Sequence, residues 1–123
     1  MDLISNTLRK VTTVSHNGEY FYRKAIETAQ KGEHMQAVEQ ALGYLEQSIA
    51  ADPQYALAWH EKGNCLETLG RCEEAIASYD TALKFDPHNA ETWFNKGLVL
   101  KKLGKEKEAF SCINKGVDLA LGR

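Results

Sequence analysis

Between Asp52 and Leu119 apolar residues recur at intervals of three and four, the period of a helix with one buried face rather than of a strand. Trp59, Gly63, Leu66 and Gly70 make one stripe, and the spacing predicts a helix from about Gln54 to Leu69 with these residues on its packing face. Ala75, Ile76, Tyr79, Ala82 and Leu83 make a second stripe, predicting a helix over about Cys72 to Phe85. Small and large residues alternate along it, which lets two antiparallel helices interlock over a short turn.

Both stripes return 34 residues later. Laid over residues 86–119, residues 52–85 agree at Asp-Pro, Ala, Trp, Lys-Gly, Leu, Leu-Gly and Glu-Ala, eleven identities in all. Self-similarity at a fixed period of this size is the mark of stacked supersecondary units. Gly63 and Gly97 cost their helices roughly 1 kcal/mol each relative to alanine, so close approach of a partner helix is expected there, with Ala75 and Ala109 set against them. Gly70 and Gly104 are expected to end the first helices as left-handed caps. Asp52-Pro53 and Asp86-Pro87 close each cycle, with the proline expected in the first turn of the following helix.

An upstream copy emerges when Gly32 is laid on Gly70, for Phe21 then falls on Trp59, Ala25 on Gly63 and Ala37 on Ala75. From Gly32 to Asp52 there are 20 residues, against 16 from Gly70 to Asp86. The second helix of this copy should therefore be about one turn longer.

The repeated residues resemble the tetratricopeptide repeat family over about Gly18 to Leu121, with Gly116 in place of the usual alanine and no final proline in the last copy. The resemblance implies an all-α fold, a right-handed superhelical solenoid of three stacked antiparallel helix pairs, with repeats at about 18–55, 56–89 and 90–123. It also implies a non-catalytic scaffold whose concave groove, lined by the first helix of each pair, binds a peptide or partner protein. Residues 1–17 form an N-terminal segment in which Ile4, Leu8 and Val11 are spaced as a short helix that would cap the first repeat, and Asn17-Gly18 breaks it.

Charge and composition narrow the partners. A net charge of −2 and a pI near 6.1 supply no field for a phosphate backbone or an anionic membrane, so nucleic acid is not expected. Nothing approaches the roughly 20 apolar residues of a membrane span, and the opening MDLISNTLRKVTTVS does not read as a signal peptide. Cys65, Cys72 and Cys112 are an odd set with no CxxC, which argues against a disulfide framework or a zinc site and for a reduced, cytoplasmic setting.

Opposite the packing stripe, the first helices are expected to expose Tyr22, Arg23 and Ile26, then His60, Glu61, Asn64 and Glu67, then Phe94, Asn95, Leu98 and Lys101. Apolar pairs at i,i+4 among amides and charges, Tyr22 with Ile26 and Phe94 with Leu98, suit anchor pockets for a peptide. Some members of the family hold a C-terminal carboxylate between cations and amides. Asn64 and Asn95 match two such amides, but His60 stands where a lysine is needed and Glu61 would repel the ligand.

No nucleophile with an orienting base, no phosphate loop and no metal set is written in the chain, so neither catalysis nor a cofactor is expected. Val117, Leu119, Ala120 and Leu121 leave an apolar edge with no polar capping helix behind it. That edge makes a self-assembling module, or a piece of a longer array, the alternative to a groove-binding scaffold.

Overall fold

The structure, a computed structural model, describes residues 17–31 and 35–123. Among these residues there are six helices and no strand: α1 (Gly18–Lys31), α2 (Met35–Ala51), α3 (Ala56–Thr68), α4 (Cys72–Phe85), α5 (Ala90–Lys102) and α6 (Glu106–Ala120). They pack most extensively as the pairs α1 with α2, α3 with α4, and α5 with α6, and each pair rests on the next through α2 against α3 and α4 against α5. The result is an all-α solenoid. The expected N-terminal capping helix lies outside the described residues.

Local chemistry accounts for the helix ends. Asn17 caps α1, its Oδ1 accepting from the Tyr20 amide at 3.1 Å, and Asn89 caps α5 by accepting from the Thr92 amide at 3.2 Å. Gly70 and Gly104 both adopt φ +78°, and the amides that follow them, Arg71 and Lys105, donate back to the carbonyls of Leu66 and Leu100. These are the expected left-handed caps. The same device recurs at the end of α6, where Gly122 has φ +73° and the Arg123 amide reaches the Asp118 carbonyl at 2.7 Å.

The prolines sit differently from the expectation. α3 begins at Ala56, so Pro53 belongs to the preceding turn, and Asp52 organises that turn by accepting the Gln54 amide on Oδ1 at 3.2 Å. Pro53 offers its carbonyl to the Trp59 indole Nε1–H at 2.8 Å, and Pro87 does the same for Trp93. The two tryptophans are consequently half-buried, not the fully buried anchors that the stripe suggests, because each indole lies along the turn with a lysine over its ring.

The core is continuous along the stack. Ala25, Ala41 and Leu45 of the first pair enclose Ala58 and Cys65 of α3; Leu66, Ala75 and Tyr79 enclose Val99 of α5; Leu100, Ala109 and Cys112 close the last pair. Ile76 touches both of the last two clusters, so no break separates the repeats. Gly63 and Gly97 are points of close approach, as expected. At Gly97 an added Cβ would lie 2.9 Å from the Ala109 carbonyl, whereas at Gly63 the neighbour is the Tyr79 ring and not Ala75.

α2, at 17 residues, is longer than α4, at 14. The extra length lies at its N-terminal end, since Asp52 and Asp86 end the two helices alike.

Candidate functional site

The first helices α1, α3 and α5 line one side of the solenoid, and the residues expected there divide into a bonded layer and an open layer. The bonded layer is a polar network between α3, α4 and α5. Asn64 Oδ1 accepts from the Tyr79 hydroxyl at 2.5 Å and from Asn95 Nδ2 at 3.1 Å, while Asn64 Nδ2 donates to Glu61 Oε2 at 3.3 Å and approaches His60 Nε2 at 3.3 Å. An amide can only donate to that ring nitrogen, so Nδ1 carries the proton and donates to Thr92 Oγ1 at 2.7 Å. Burial pushes the Tyr79 phenol well above its ordinary range, and the Glu67 and Glu61 carboxylates act the same way.

His60 corrects the expectation for this face. It is 3% exposed, enclosed between α3 and α5 with the Tyr79 ring 5.8 Å away, because the next helix pair closes over it and supplies Thr92 as its partner. Glu61 and Glu91 bring carboxylate oxygens to 4.0 and 3.8 Å of its Nε2. A carboxylate clamp has no cation at this position.

The open layer begins beside this network. Asn64, Glu67, Tyr79, Asn95, Leu98 and Lys102 wall a cleft of about 260 Å³, and a Lys102 to Glu67 ion pair ties α5 to α3 at its edge. Leu98 is 41% exposed in this cleft, and Lys101 is exposed on the next turn. At the other end, Tyr22 is half-buried with its ring edge-on to Tyr55 at 5.5 Å, and its phenol is pushed up first by burial and then by Glu61, Tyr55 and Glu91. Ile26 is partly buried; Arg23 is exposed and paired with Glu19 at 2.5 Å.

Phe94 belongs elsewhere. Its backbone amide and Cβ lie 3.0 and 3.3 Å from where a Gly116 Cβ would be, and it opens with Val117 onto a separate cavity of about 340 Å³ between α5 and α6. Of the eleven residues expected on the concave face, the structure thus brings His60, Glu61, Asn64, Glu67, Asn95 and Leu98 together, with Lys101 flanking them, Tyr22, Arg23 and Ile26 on the neighbouring first pair, and Phe94 turned to the end of the stack.

Two groups escaped the sequence reading. Tyr79, on a packing stripe, reaches through to the cleft with its hydroxyl, and Ile113 at the equivalent place offers no signal for it. Lys62 and Lys96 lie over Trp59 and Trp93 and bind Glu46 at 2.9 Å and Asp80 at 2.6 Å, each joining a first helix to the second helix of the pair before. The signal is the recurrent Lys-Gly, whose lysine repeats at the 34-residue offset together with the tryptophan three residues before it.

Comparison with known proteins agrees with this fold. A family profile described as TPR repeat matches residues 63–104, and one described as tetratricopeptide repeat matches residues 90–122. An uncharacterized protein of Methanocaldococcus jannaschii is 42% identical over 55 residues, which cover 45% of this chain and 59% of that protein. The crystal structure of MamA superposes with a TM-score of 0.77 and 22% identity over 88% of this chain and 61% of its own. The second TPR of Spaghetti, bound to an HSP90 peptide, superposes at 0.79 with 19% identity over 89% and 98%. The Sgt2 TPR domain from Aspergillus fumigatus gives 0.76 at 16% identity over 84% and 66%. At these identities the likeness is one of fold. The chain spans less than two thirds of the length of the curated relative and of the MamA structure.

Proposed function

Because the chain belongs to the tetratricopeptide repeat family, whose helix arrays serve as protein-interaction scaffolds, we propose that it binds an extended peptide or a segment of a partner protein along the face lined by α1, α3 and α5. The observation that carries this reading is the open cleft beside Leu98. Its floor is set by the Asn64, Asn95 and Tyr79 network, so a ligand meets side chains already held in place and orders little on binding. Glu91 lies in the first turn of α5, with the Glu61 carboxylate near it about His60, and Lys101 and Lys102 lie in the last turn of α5. A ligand that runs with a basic group towards Glu61 and an acidic one towards Lys101 matches this polarity.

The scaffold acts without catalysis and without a cofactor, and it works in the cytoplasm, a setting that suits its three free cysteines. The carboxylate clamp is not adopted, because His60 is enclosed and the Asn64 amide is engaged with Glu61, His60, Tyr79 and Asn95. The apolar surface of α6 supports a second reading, self-assembly.

Affinity capture from native extract tests the groove, comparing the chain with a Leu98→Lys, Lys101→Glu variant shown to be folded by circular dichroism. A protein held by the first and lost by the second supports the reading. Identical proteins on both overturn it.

A further inference from the structure

The imidazole of His60 sits where the groove meets the junction between the second and third helix pairs. Imidazole is the side chain whose charge ordinarily changes between about pH 5 and 8. In the neutral ring Nδ1–H is given to Thr92 Oγ1 at 2.7 Å and Nε2 receives the Asn64 amide at 3.3 Å. A proton added at Nε2 leaves the Thr92 bond intact, since an imidazolium donates from both nitrogens, but it sets two donors face to face at Asn64. Turning the Asn64 amide over is no remedy. Its Oδ1 is held by the Tyr79 hydroxyl at 2.5 Å and by Asn95 Nδ2 at 3.1 Å, so the far side of the network fixes which end faces the ring.

Acceptors for a new Nε2–H are already in place. Glu91 Oε1 of α5 lies 3.8 Å from Nε2 and Glu61 Oε1 of α3 lies 4.0 Å from it, each a short side-chain turn from bonding distance, while Glu61 Oε2 keeps the Asn64 amide at 3.3 Å. Among the described residues neither carboxylate has a lysine or arginine within ion-pair distance. The phenols and the thiol around the ring stay neutral over this range. Tyr79 of α4 is pushed up by burial and then by Glu67 and Glu61, Tyr22 of α1 by burial and then by Glu61, Tyr55 and Glu91, and Cys65 of α3 by burial to about 11. Arg23 of α1 is engaged with Glu19, Glu46 of α2 with Lys62, and Asp80 of α4 with Lys96.

We propose that His60 is a proton-operated switch on the groove: a proton taken up at Nε2 draws the Glu91 and Glu61 carboxylates onto the ring and withdraws from the groove the negative charge that would meet a basic group of the ligand. The effect on a ligand rests on the groove reading, whereas the capture of the carboxylates is a property of the chain alone. Tyr22 and Phe94 occupy the equivalent position in the other two repeats, so the device is written once in three.

The chain labelled with nitrogen-15 in its histidines reads the ring directly, because the two nitrogens of the neutral Nδ1–H form differ in shift and those of the imidazolium do not; His60→Gln assigns the signal. The His60 ring should pass from the Nδ1–H form to the imidazolium between about pH 8 and 5, with the chain still folded by circular dichroism. In a Glu61→Gln, Glu91→Gln variant the ratio of imidazolium to neutral ring at about pH 6 should fall about threefold or more, since both carboxylates beside it are gone. A tetra-arginine peptide, followed by the backbone amide shifts of residues 61 and 91, should bind the wild type about threefold more weakly at about pH 5.5 than at about pH 8, and a folded His60→Gln equally at both. A ring that stays neutral throughout in the folded chain, an imidazolium fraction unmoved by the double glutamine variant, or equal peptide binding at both pH values by a wild type whose ring titrates overturns the switch. A ring that responds as stated in a chain that binds the peptide at neither pH upholds the capture of the carboxylates and counts against the groove alone.

Discussion

Gly63 and Tyr79 meet so closely that a Cβ on the glycine would lie 2.5 Å from Cε1 of the ring. The ring cannot retreat freely, because its hydroxyl is bound to Asn64 at 2.5 Å. At Gly97 the obstruction includes backbone, the Ala109 carbonyl at 2.9 Å and the Ile113 amide at 3.0 Å. Alanine in a helix interior normally gains about 1 kcal/mol over glycine, yet overpacking of this kind typically costs about 1–3 kcal/mol. We therefore expect Gly63→Ala and Gly97→Ala both to lower stability in urea melts, with Gly97→Ala the worse because a carbonyl cannot rotate aside as a side chain can. A gain in stability at either position would mean that the helix crossing has slack.

The tryptophans call for a smaller effect than their size suggests. A fully buried indole costs about 3–5 kcal/mol on truncation to alanine, but Trp59 is half-buried and holds the Asp-Pro turn through its indole N–H. Trp59→Phe keeps most of the ring and deletes that bond, so a loss of about 1 kcal/mol is expected. The same holds for Trp93→Phe, which releases the Pro87 carbonyl. Melts in which Trp59→Phe matches the wild type would show that water replaces the indole at Pro53 without cost.

The helices, their caps and their pairing were legible because they are written in spacing: glycines at turns with φ +78°, small residues at crossings, and a 34-residue period. Burial across the junction between pairs was not legible. His60 and Phe94 occupy the same helical position and read alike on a wheel, but one is covered by α5 and 3% exposed, whereas the other is 40% exposed. The Lys62 to Glu46 and Lys96 to Asp80 bonds were missed for a related reason, since each joins residues 16 apart through a pairing that only the stacked fold creates.

The His60 and Thr92 pair should behave as a unit. Thr92→Val leaves a buried N–H at His60 Nδ1 without its acceptor, and His60→Phe leaves the hydroxyl of the buried Thr92 without its donor. Each single change should cost about 1–3 kcal/mol. The double variant places on α3 the side chain that the next repeat carries at Phe94, against an apolar partner. Its cost should fall below the sum of the two, a coupling that a double-mutant cycle measures directly. Strict additivity would remove this contact from the account of how the second and third pairs join.

Stability should fall on the alkaline side through Cys65. Burial, with a smaller contribution from Glu61, pushes its thiol from an ordinary 9.0 up to about 11. Below pH 9 both folded and unfolded chains keep the proton, and the contribution of this group is complete. As pH rises from 9 towards 11 the unfolded chain ionises first, so unfolding becomes easier until the folded thiol also titrates. Cys65→Ala should shallow this decline whatever it does to stability at neutral pH, because slope and not level reports the titration. Burial also predicts order of modification: Cys72, partly exposed, should react with a thiol reagent in the native chain before Cys65 or Cys112. Superimposable alkaline slopes for the wild type and Cys65→Ala would mean that solvent reaches this thiol and that α3 does not seat against the first pair as tightly as Ala58 and Cys65 require.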